Sequence, residues 1–148
     1  MKHALRHGLS VLVVDDSAIV RHRLRLLLTE GQSVRQVSEA ASAAQAWAFF
    51  QQLAPDVVLL DIYLSDSSGL DLLCRIKRTT PSCLVIVLTN LRDSIFREET
   101  RRRGADHFLH KATEFERVPD LLHRYASQVD SPSSPAARHE PSRVRPLA

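Results

Sequence analysis

The sequence predicts an α/β fold, with a doubly wound, five-stranded parallel sheet flanked by helices. Short apolar runs alternate along the chain with longer segments of helical spacing, which is typical of strands joined by right-handed helical crossovers. The apolar runs are rich in Val, Leu and Ile and are each about one strand long, as expected where helices cover both faces of a sheet. The chain has 148 residues, 44% of them hydrophobic, and can therefore bury a core of this kind.

Three predicted strands are strongly apolar, and two are weaker. The strong ones are Leu9–Val14, Val57–Leu60 and Leu84–Leu88. The weaker ones are Val34–Ser38 and Asp106–His110. Because the last of these alternates polar and apolar residues, we expect it near an edge of the sheet.

The segments between the strands have the spacing of amphipathic helices. These predicted helices are Ala18–Leu28, Ala41–Leu53, Leu70–Ile76 and Asp93–Arg103. A fifth helix closes the domain, with Pro119 in its first turn, where a missing N–H costs nothing. We expect Ile19 of the first helix and Val129 of the fifth helix to face the core.

The predicted domain covers residues 9–129, between an N-terminal extension at 1–8 and a tail at 130–148. The tail is rich in Pro, Ser and Arg and has almost no large apolar residue, so we expect it to be disordered. It is too short for a DNA-binding domain. Its basic character leaves open a role as a tether for a nucleic acid or a protein, although a tolerated extension is the simpler interpretation.

The composition favours a soluble cytoplasmic protein. A formal net charge of +3 is too small to indicate nucleic-acid binding. Cys74 and Cys83 form neither a disulfide framework nor a metal-ligand pair, which favours a reducing compartment. The first apolar run is too short for a signal peptide, and no stretch has the length of a membrane span.

Polar residues follow the predicted strands at the point where each strand ends. They are Asp15 and Asp16, then Asp61, then Thr89, and finally Lys111. The carboxyl ends of parallel strands meet at one edge of a sheet, so these side chains can converge there. Clustered carboxylates repel one another unless a cation such as Mg²⁺ lies among them, and a lysine and a hydroxyl suit the oxygens of a phosphoryl group. Each residue alone could be a helix cap or a surface charge, but the ordered set predicts a phosphoryl site.

Together these motifs resemble the receiver domains of two-component response regulators. The matching stretches are Val13–Asp16, Val58–Asp61, Gly69, Val87–Thr89 and Gly104–Lys111. The resemblance covers almost the whole chain except the tail. It implies the flavodoxin-like receiver fold and a CheY-like, stand-alone receiver.

The resemblance also implies roles for the matched acidic residues. Asp61 would be the nucleophile that becomes an aspartyl phosphate, with Mg²⁺ as the cofactor. Asp16 would ligate the ion directly, Asp15 mainly through a water molecule, and Tyr63 through its backbone carbonyl. The chain would not be an enzyme acting on another substrate, although it would catalyse reactions of its own phosphoryl group.

Two further roles concern the switch. Thr89 would hydrogen-bond the phosphoryl group and Lys111 would pair with it, while Phe108 stands at the position of the switch aromatic. The expected readout is the surface of the fourth helix, fifth strand and fifth helix, which Arg97, Arg101 and Arg102 make basic. The expected partners are a sensor histidine kinase or a histidine phosphotransfer protein and a downstream protein of unknown identity. A homodimer through the basic surface is open.

The sequence departs from the usual receiver pattern in three places. Ala112 stands where most receivers have a proline after a cis bond, and a cis bond before alanine costs about 3 kcal/mol, so we expect a trans bond. Ser65 replaces another common proline, which predicts a looser loop. Tyr63 and Leu91 border the path of the attacking water with apolar surface, which predicts slow self-dephosphorylation.

Other classes of function explain the sequence less well. A phosphatase of the haloacid-dehalogenase type needs a second acid where Tyr63 stands, and a nucleotide-binding enzyme needs a glycine-rich turn after the first strand. The alternative that stays open is a receiver-like protein-binding module that works without phosphorylation.

Overall fold

The computed structural model describes residues 8–90 and 94–130, and the structural statements below concern these residues. The predicted tail, apart from its first residue, therefore lies outside the described residues, as do Leu91 and residues 1–7 of the predicted extension. No helix in the described part of the chain is long and apolar enough to cross a membrane.

The fold is a five-stranded parallel sheet with helices on both faces, which confirms the predicted receiver fold. The strands are β1 (Leu9–Val14), β2 (Val34–Ala40), β3 (Val57–Leu60), β4 (Leu84–Thr89) and β5 (His107–His110). Their order in the sheet is β2-β1-β3-β4-β5. The weak fifth strand lies at an edge, as its alternating pattern predicts.

The helices lie where the apolar spacing predicts them, with changes at their ends. They are α1 (Ala18–Thr29), α2 (Ala43–Leu53), α3 (Gly69–Thr79), α4 (Ser94–Arg102), α5 (Lys111–Glu114) and α6 (Val118–Asp130). The predicted fifth helix is thus the short α5, a 3-10 turn at Phe115–Arg117 and α6, with Pro119 in the first turn of α6. Serine side chains cap the first three helices by accepting a backbone N–H, and Ser42 in this role places the start of α2 two residues later than predicted.

The sheet separates two apolar layers. Val58 and Leu60 of β3 face one layer with α2 and α3, whereas Val57 and Leu59 face the other with α1 and α6. The alternation follows from the two-residue period of a strand. It explains why the central strands read as unbroken apolar runs.

Two predicted core residues lie at the surface. Ile19 is 72% exposed because it stands five residues before Leu24, a separation of about 140° around the helix axis. Leu24 itself is buried together with Leu28. Val129 shares the face of the buried Leu122, but it lies in the last turn of α6 and is 37% exposed.

Candidate functional site

Asp15 and Asp61 lie side by side because the adjacent strands β1 and β3 end at the same level. Val14 pairs with Leu60 in the register of β1 and β3, so each aspartate is the next residue along its strand. The backbone N–H of Asp61 donates to the carbonyl of Val14 at 3.0 Å, which continues this pairing past the strand end. The two carboxylates therefore start from neighbouring backbone positions.

Asp16 completes a cluster of three acids. One carboxylate oxygen from each of Asp15, Asp16 and Asp61 lies within 4.8 Å of the others. Asp15 and Asp61 are buried, with 3% and 7% of their surface exposed, whereas Asp16 is exposed. Asp15 is also held by its neighbours, because one of its side-chain oxygens accepts the N–H of Ser17 at 2.9 Å.

Lys111, the first residue of α5, brings a positive charge to this cluster. Its Nζ lies 2.5 Å from Oδ2 of Asp15 and 3.0 Å from Oδ2 of Asp61. The lysine side chain is only 12% exposed. Three carboxylates against one ammonium leave an excess of two negative charges at the site.

The surroundings change the pKa of both partners of this ion pair. Burial raises the pKa of Asp61, and the charge of Asp15 adds to this effect, while Lys111 and the N–H of Tyr63 oppose it. Burial disfavours the ammonium of Lys111, but hydrogen bonds and charges from Asp15 and Asp61 outweigh that effect and raise its pKa. Lys111 is therefore charged at neutral pH, and Asp61 is held in a site that resists its negative charge.

The donor set fits Mg²⁺. All three candidate ligands offer carboxylate oxygen, which is the ligand type that this hard cation prefers. The excess negative charge favours a cation, and exposed Asp16 leaves one side open for waters and phosphoryl oxygens. The carbonyl of Tyr63 as a further ligand stays a prediction, although its N–H donates to Oδ1 of Asp61 at 3.3 Å.

The loop after Asp61 is fastened at both ends. Gly69 donates its N–H to the carbonyl of Ile62 at 2.7 Å, and Tyr63 forms an antiparallel bridge with Ser68. In place of the common proline, Asp66 ties the loop to the first turn of α2 by accepting the N–H groups of Ala43 at 2.9 Å and Ala44 at 3.1 Å. These bonds hold the pKa of Asp66 below its ordinary value.

The predicted switch residues lie on the two neighbouring strands. Thr89 ends β4 and is 1% exposed, and its partner in the register of β4 and β5 is His110. Phe108 is half-buried. The Arg97 guanidinium carbon lies 4.7 Å from the centre of the Phe108 ring, so a charged group of α4 stacks on the predicted switch aromatic.

Some functional candidates were not predicted from the sequence. Arg21 of α1 reaches the site by donating to the carbonyl of Asp15 at 2.8 Å, and Asp66 fastens the loop that follows Asp61 to α2. His110 is buried and caps α5 with its side chain, and the signal in the sequence was a histidine directly before the lysine. None of the described peptide bonds is cis, so the bond from Lys111 to Ala112 is trans, as predicted.

Comparisons with known proteins identify the family. A family model described as the response regulator receiver domain matches residues 11–123. The chain is 32% identical over 108 residues to the transcriptional regulatory protein PhoP of Escherichia coli O157:H7, covering 73% of this chain and 48% of PhoP. It is 28% identical over 117 residues to the chemotaxis protein CheY of Thermotoga maritima, covering 79% of this chain and 97% of CheY. The chain thus spans about half the length of PhoP and nearly all of CheY.

Solved structures agree with these relatives. The response regulator domain of Thermotoga maritima CheB superposes with a TM-score of 0.70 at 28% identity, covering 82% of this chain and 96% of that domain. NtrX from Brucella abortus, solved in complex with ADP, reaches a TM-score of 0.77 at 26% identity, covering 95% of this chain and 31% of NtrX.

Proposed function

Because the chain belongs to the response regulator receiver domain family, we propose that it is a phosphoacceptor of a two-component or phosphorelay system. The acceptor is Asp61, and the reaction depends on Mg²⁺ held by Asp15, Asp16, Asp61 and the Tyr63 carbonyl. The observation that carries the proposal is the convergence of three acids and one buried lysine at the ends of separate strands.

In the proposed reaction, a carboxylate oxygen of Asp61 attacks the phosphorus of the donor. The new O–P bond forms as the donor's bond to phosphorus breaks, and the donor leaves with that electron pair. The donor is the phosphohistidine of a kinase or of a phosphotransfer protein. When bound, Mg²⁺ would neutralise negative charge on the phosphoryl oxygens.

The residues of the chain supply orientation and charge. Lys111 already contacts Asp61, so its ammonium is in place for a phosphoryl oxygen. The Thr89 hydroxyl donates to another such oxygen. As Thr89 moves inward, space opens for the Phe108 ring to turn, which shifts an equilibrium between two shapes of the domain.

The proposed readout is the surface formed by α4, β5 and α6. On its side towards α4 and β5, this surface has a groove of about 290 Å³ that is closed by the 3-10 turn before α6, and its lining includes Arg97, Arg101, Arg117 and Phe108. Because Phe108 belongs both to the groove and to the proposed switch, a change at Asp61 would alter the shape offered to a protein partner. Dimer formation through this surface and a tethering role of the tail stay predictions.

We place this reaction in the cytoplasm. Both cysteines are free in the structure, which suits a reducing compartment. Residues 9–129 are the domain that we propose performs it.

The test is phosphoryl uptake from acetyl phosphate with and without Mg²⁺, followed by intact-mass spectrometry. Wild type should gain one phosphoryl group only with Mg²⁺, and Asp61→Asn should gain none. Asp71→Asn is the matched control, because Asp71 is an exposed acid in the first turn of α3 and should leave uptake unchanged. Failure of wild type to take up phosphate would instead favour the phosphorylation-independent binding module.

A further inference from the structure

The ring of His110 forms a bridge between Asn90, which directly follows β4, and Ala112, which lies in the first turn of α5. The residue ends β5 and is 8% exposed, and both of its ring nitrogens have partners. Nδ1 accepts the N–H of Ala112 at 3.2 Å, and Nε2 lies 3.0 Å from the carbonyl oxygen of Asn90. Since Nδ1 faces a donor, the ring proton belongs on Nε2, which donates to the Asn90 carbonyl. The neutral Nε2–H form satisfies both contacts.

The two partners of this ring stand beside the two residues that would hold the phosphoryl group. Asn90 directly follows Thr89, and Ala112 directly follows Lys111. The backbone N–H of His110 also donates to Oε1 of Glu114 at 2.8 Å, which fixes the start of α5 from the other side. Lys111 is therefore held between two anchored neighbours.

Histidine is an unusual residue for this position. Ser, Thr, Asp and Asn are the side chains that cap helices best, and each of them could accept the N–H of Ala112. These four side chains have no ring, so none of them can accept this N–H and at the same time place a second polar atom at the Asn90 carbonyl. The cap alone therefore does not explain His110, whereas the bridge does. The bridge also constrains the first turn of α5, where the chain has Ala112 instead of proline.

From this geometry we infer that His110 is a positioning residue, which locks the backbone of Asn90, directly after Thr89, to the first turn of α5, so that Thr89 and Lys111 meet a phosphoryl group together. The inference rests on the proposed phosphoryl chemistry at Asp61. His110 itself touches none of the reacting atoms; it acts through the backbone of its neighbours.

Two variants separate the bridge from the cap. His110→Phe keeps a ring of similar size but has no polar atom, so it loses both hydrogen bonds. His110→Asn keeps an acceptor for the N–H of Ala112 but is too short to reach Asn90. Isothermal titration with Mg²⁺ alone then measures the affinity of the three acids for the ion. Titration with beryllofluoride plus Mg²⁺ measures the affinity of the groups that would hold the phosphoryl group.

We expect both variants to bind beryllofluoride about tenfold more weakly than wild type, the size of effect of one or two hydrogen bonds. Mg²⁺ alone should bind within about twofold of wild type, because the three acids lie on other strands. His110→Asn should recover thermal stability lost in His110→Phe without recovering beryllofluoride affinity. If His110→Phe does not fold, His110→Asn carries the test alone.

A destabilised control variant distinguishes the loss of a positioning contact from a general loss of stability. Leu122→Ala opens a cavity in the core layer under α6 and should lower stability without changing beryllofluoride affinity in the folded protein. The inference is overturned if the His110 variants bind beryllofluoride as well as wild type, or if they lose Mg²⁺ affinity to the same extent. Failure of wild type to bind beryllofluoride overturns the proposed function as well.

Discussion

Gly69→Ala is expected to destabilise the protein, although alanine favours helices more than glycine does. A Cβ added at Gly69 would lie 2.8 Å from the Cα of Ile62 and 2.9 Å from its carbonyl oxygen, and it would overlap the carbonyl oxygen of Asp61 still more closely. All three are backbone atoms and cannot rotate away as a side chain could. Either α3 or the end of β3 must move.

The magnitude follows from two opposing effects. Alanine gains at most about 1 kcal/mol of helix propensity over glycine, because that value holds for a helix interior and Gly69 is the first residue of α3. Forcing a methyl group into a packed site costs about 1–3 kcal/mol and more where the obstacle is rigid. Because the contact also strains the bond from the Gly69 N–H to the Ile62 carbonyl, at 2.7 Å, the net loss in the free energy of unfolding should be about 2 kcal/mol.

Urea unfolding of two glycine variants tests this reasoning. Gly31→Ala is the matched control, because nothing lies within 4 Å of its added Cβ, and it should be neutral or stabilise the protein by up to about 1 kcal/mol. Gly69→Ala should also lose phosphoryl uptake, since the displaced backbone carries Asp61. A Gly69→Ala variant as stable and as active as wild type would refute the argument.

Three further predictions follow from the charges and thiols. In EDTA at pH 7, Asp61→Asn should unfold at a higher temperature than wild type, because burial raises the pKa of Asp61 and makes its ionised form unfavourable. This difference in thermal midpoint should shrink as the pH falls towards 4 and the carboxyl group protonates. A midpoint equal to or lower than that of wild type at pH 7 would contradict the prediction. Asp66→Ala should lower the thermal midpoint at pH 7, because the pKa of Asp66 is held low mainly by the N–H of Ala43. The difference from wild type should disappear as the pH falls below the ordinary carboxyl pKa, where Asp66 becomes protonated. A difference that does not depend on pH would argue against this cause. Cys83 should resist Ellman's reagent in the folded protein, since burial raises the pKa of its thiol to about 12. Half-buried Cys74 should react with the reagent. If both thiols react at the same rate, the prediction is wrong.

The fold was predictable because local pattern and tertiary environment agree. Leu9–Val14 and Val57–Leu60 were predicted to the residue, since their apolar runs are buried on both faces and end at aspartates. Ile19 shows where the sequence pattern fails. An isoleucine close in sequence to the buried residues of a helix is still exposed when its angle around the helix axis differs from theirs. Ser42, a cap, set the start of α2 more sharply than its apolar spacing did.

The site was predictable to the extent that strand ends determine it. Asp61 and Lys111 could be expected to meet because parallel strands end at one edge of a sheet, although 50 residues separate them. The hydrogen bonds around these two residues could not be predicted from the sequence. The bond from His110 to Asn90 spans 20 residues and that from Ala43 to Asp66 spans 23, and both depend on how loops lie after the sheet has formed. No periodic pattern in the sequence encodes such contacts.

The charge balance of the site indicates how phosphorylation would start to move the domain. Converting the Asp61 carboxylate into an aspartyl phosphate would change about one negative charge into about two, at a site that already holds an excess of negative charge. Among the described residues, Lys111 is the only cation paired with Asp15 and Asp61, and its Nζ is shared between them. A phosphoryl group would draw that ammonium away from Asp15, because the stronger charge competes for it. Since His110 joins the first turn of α5 to Asn90, we expect a shift of Lys111 to be passed on to the backbone next to Thr89.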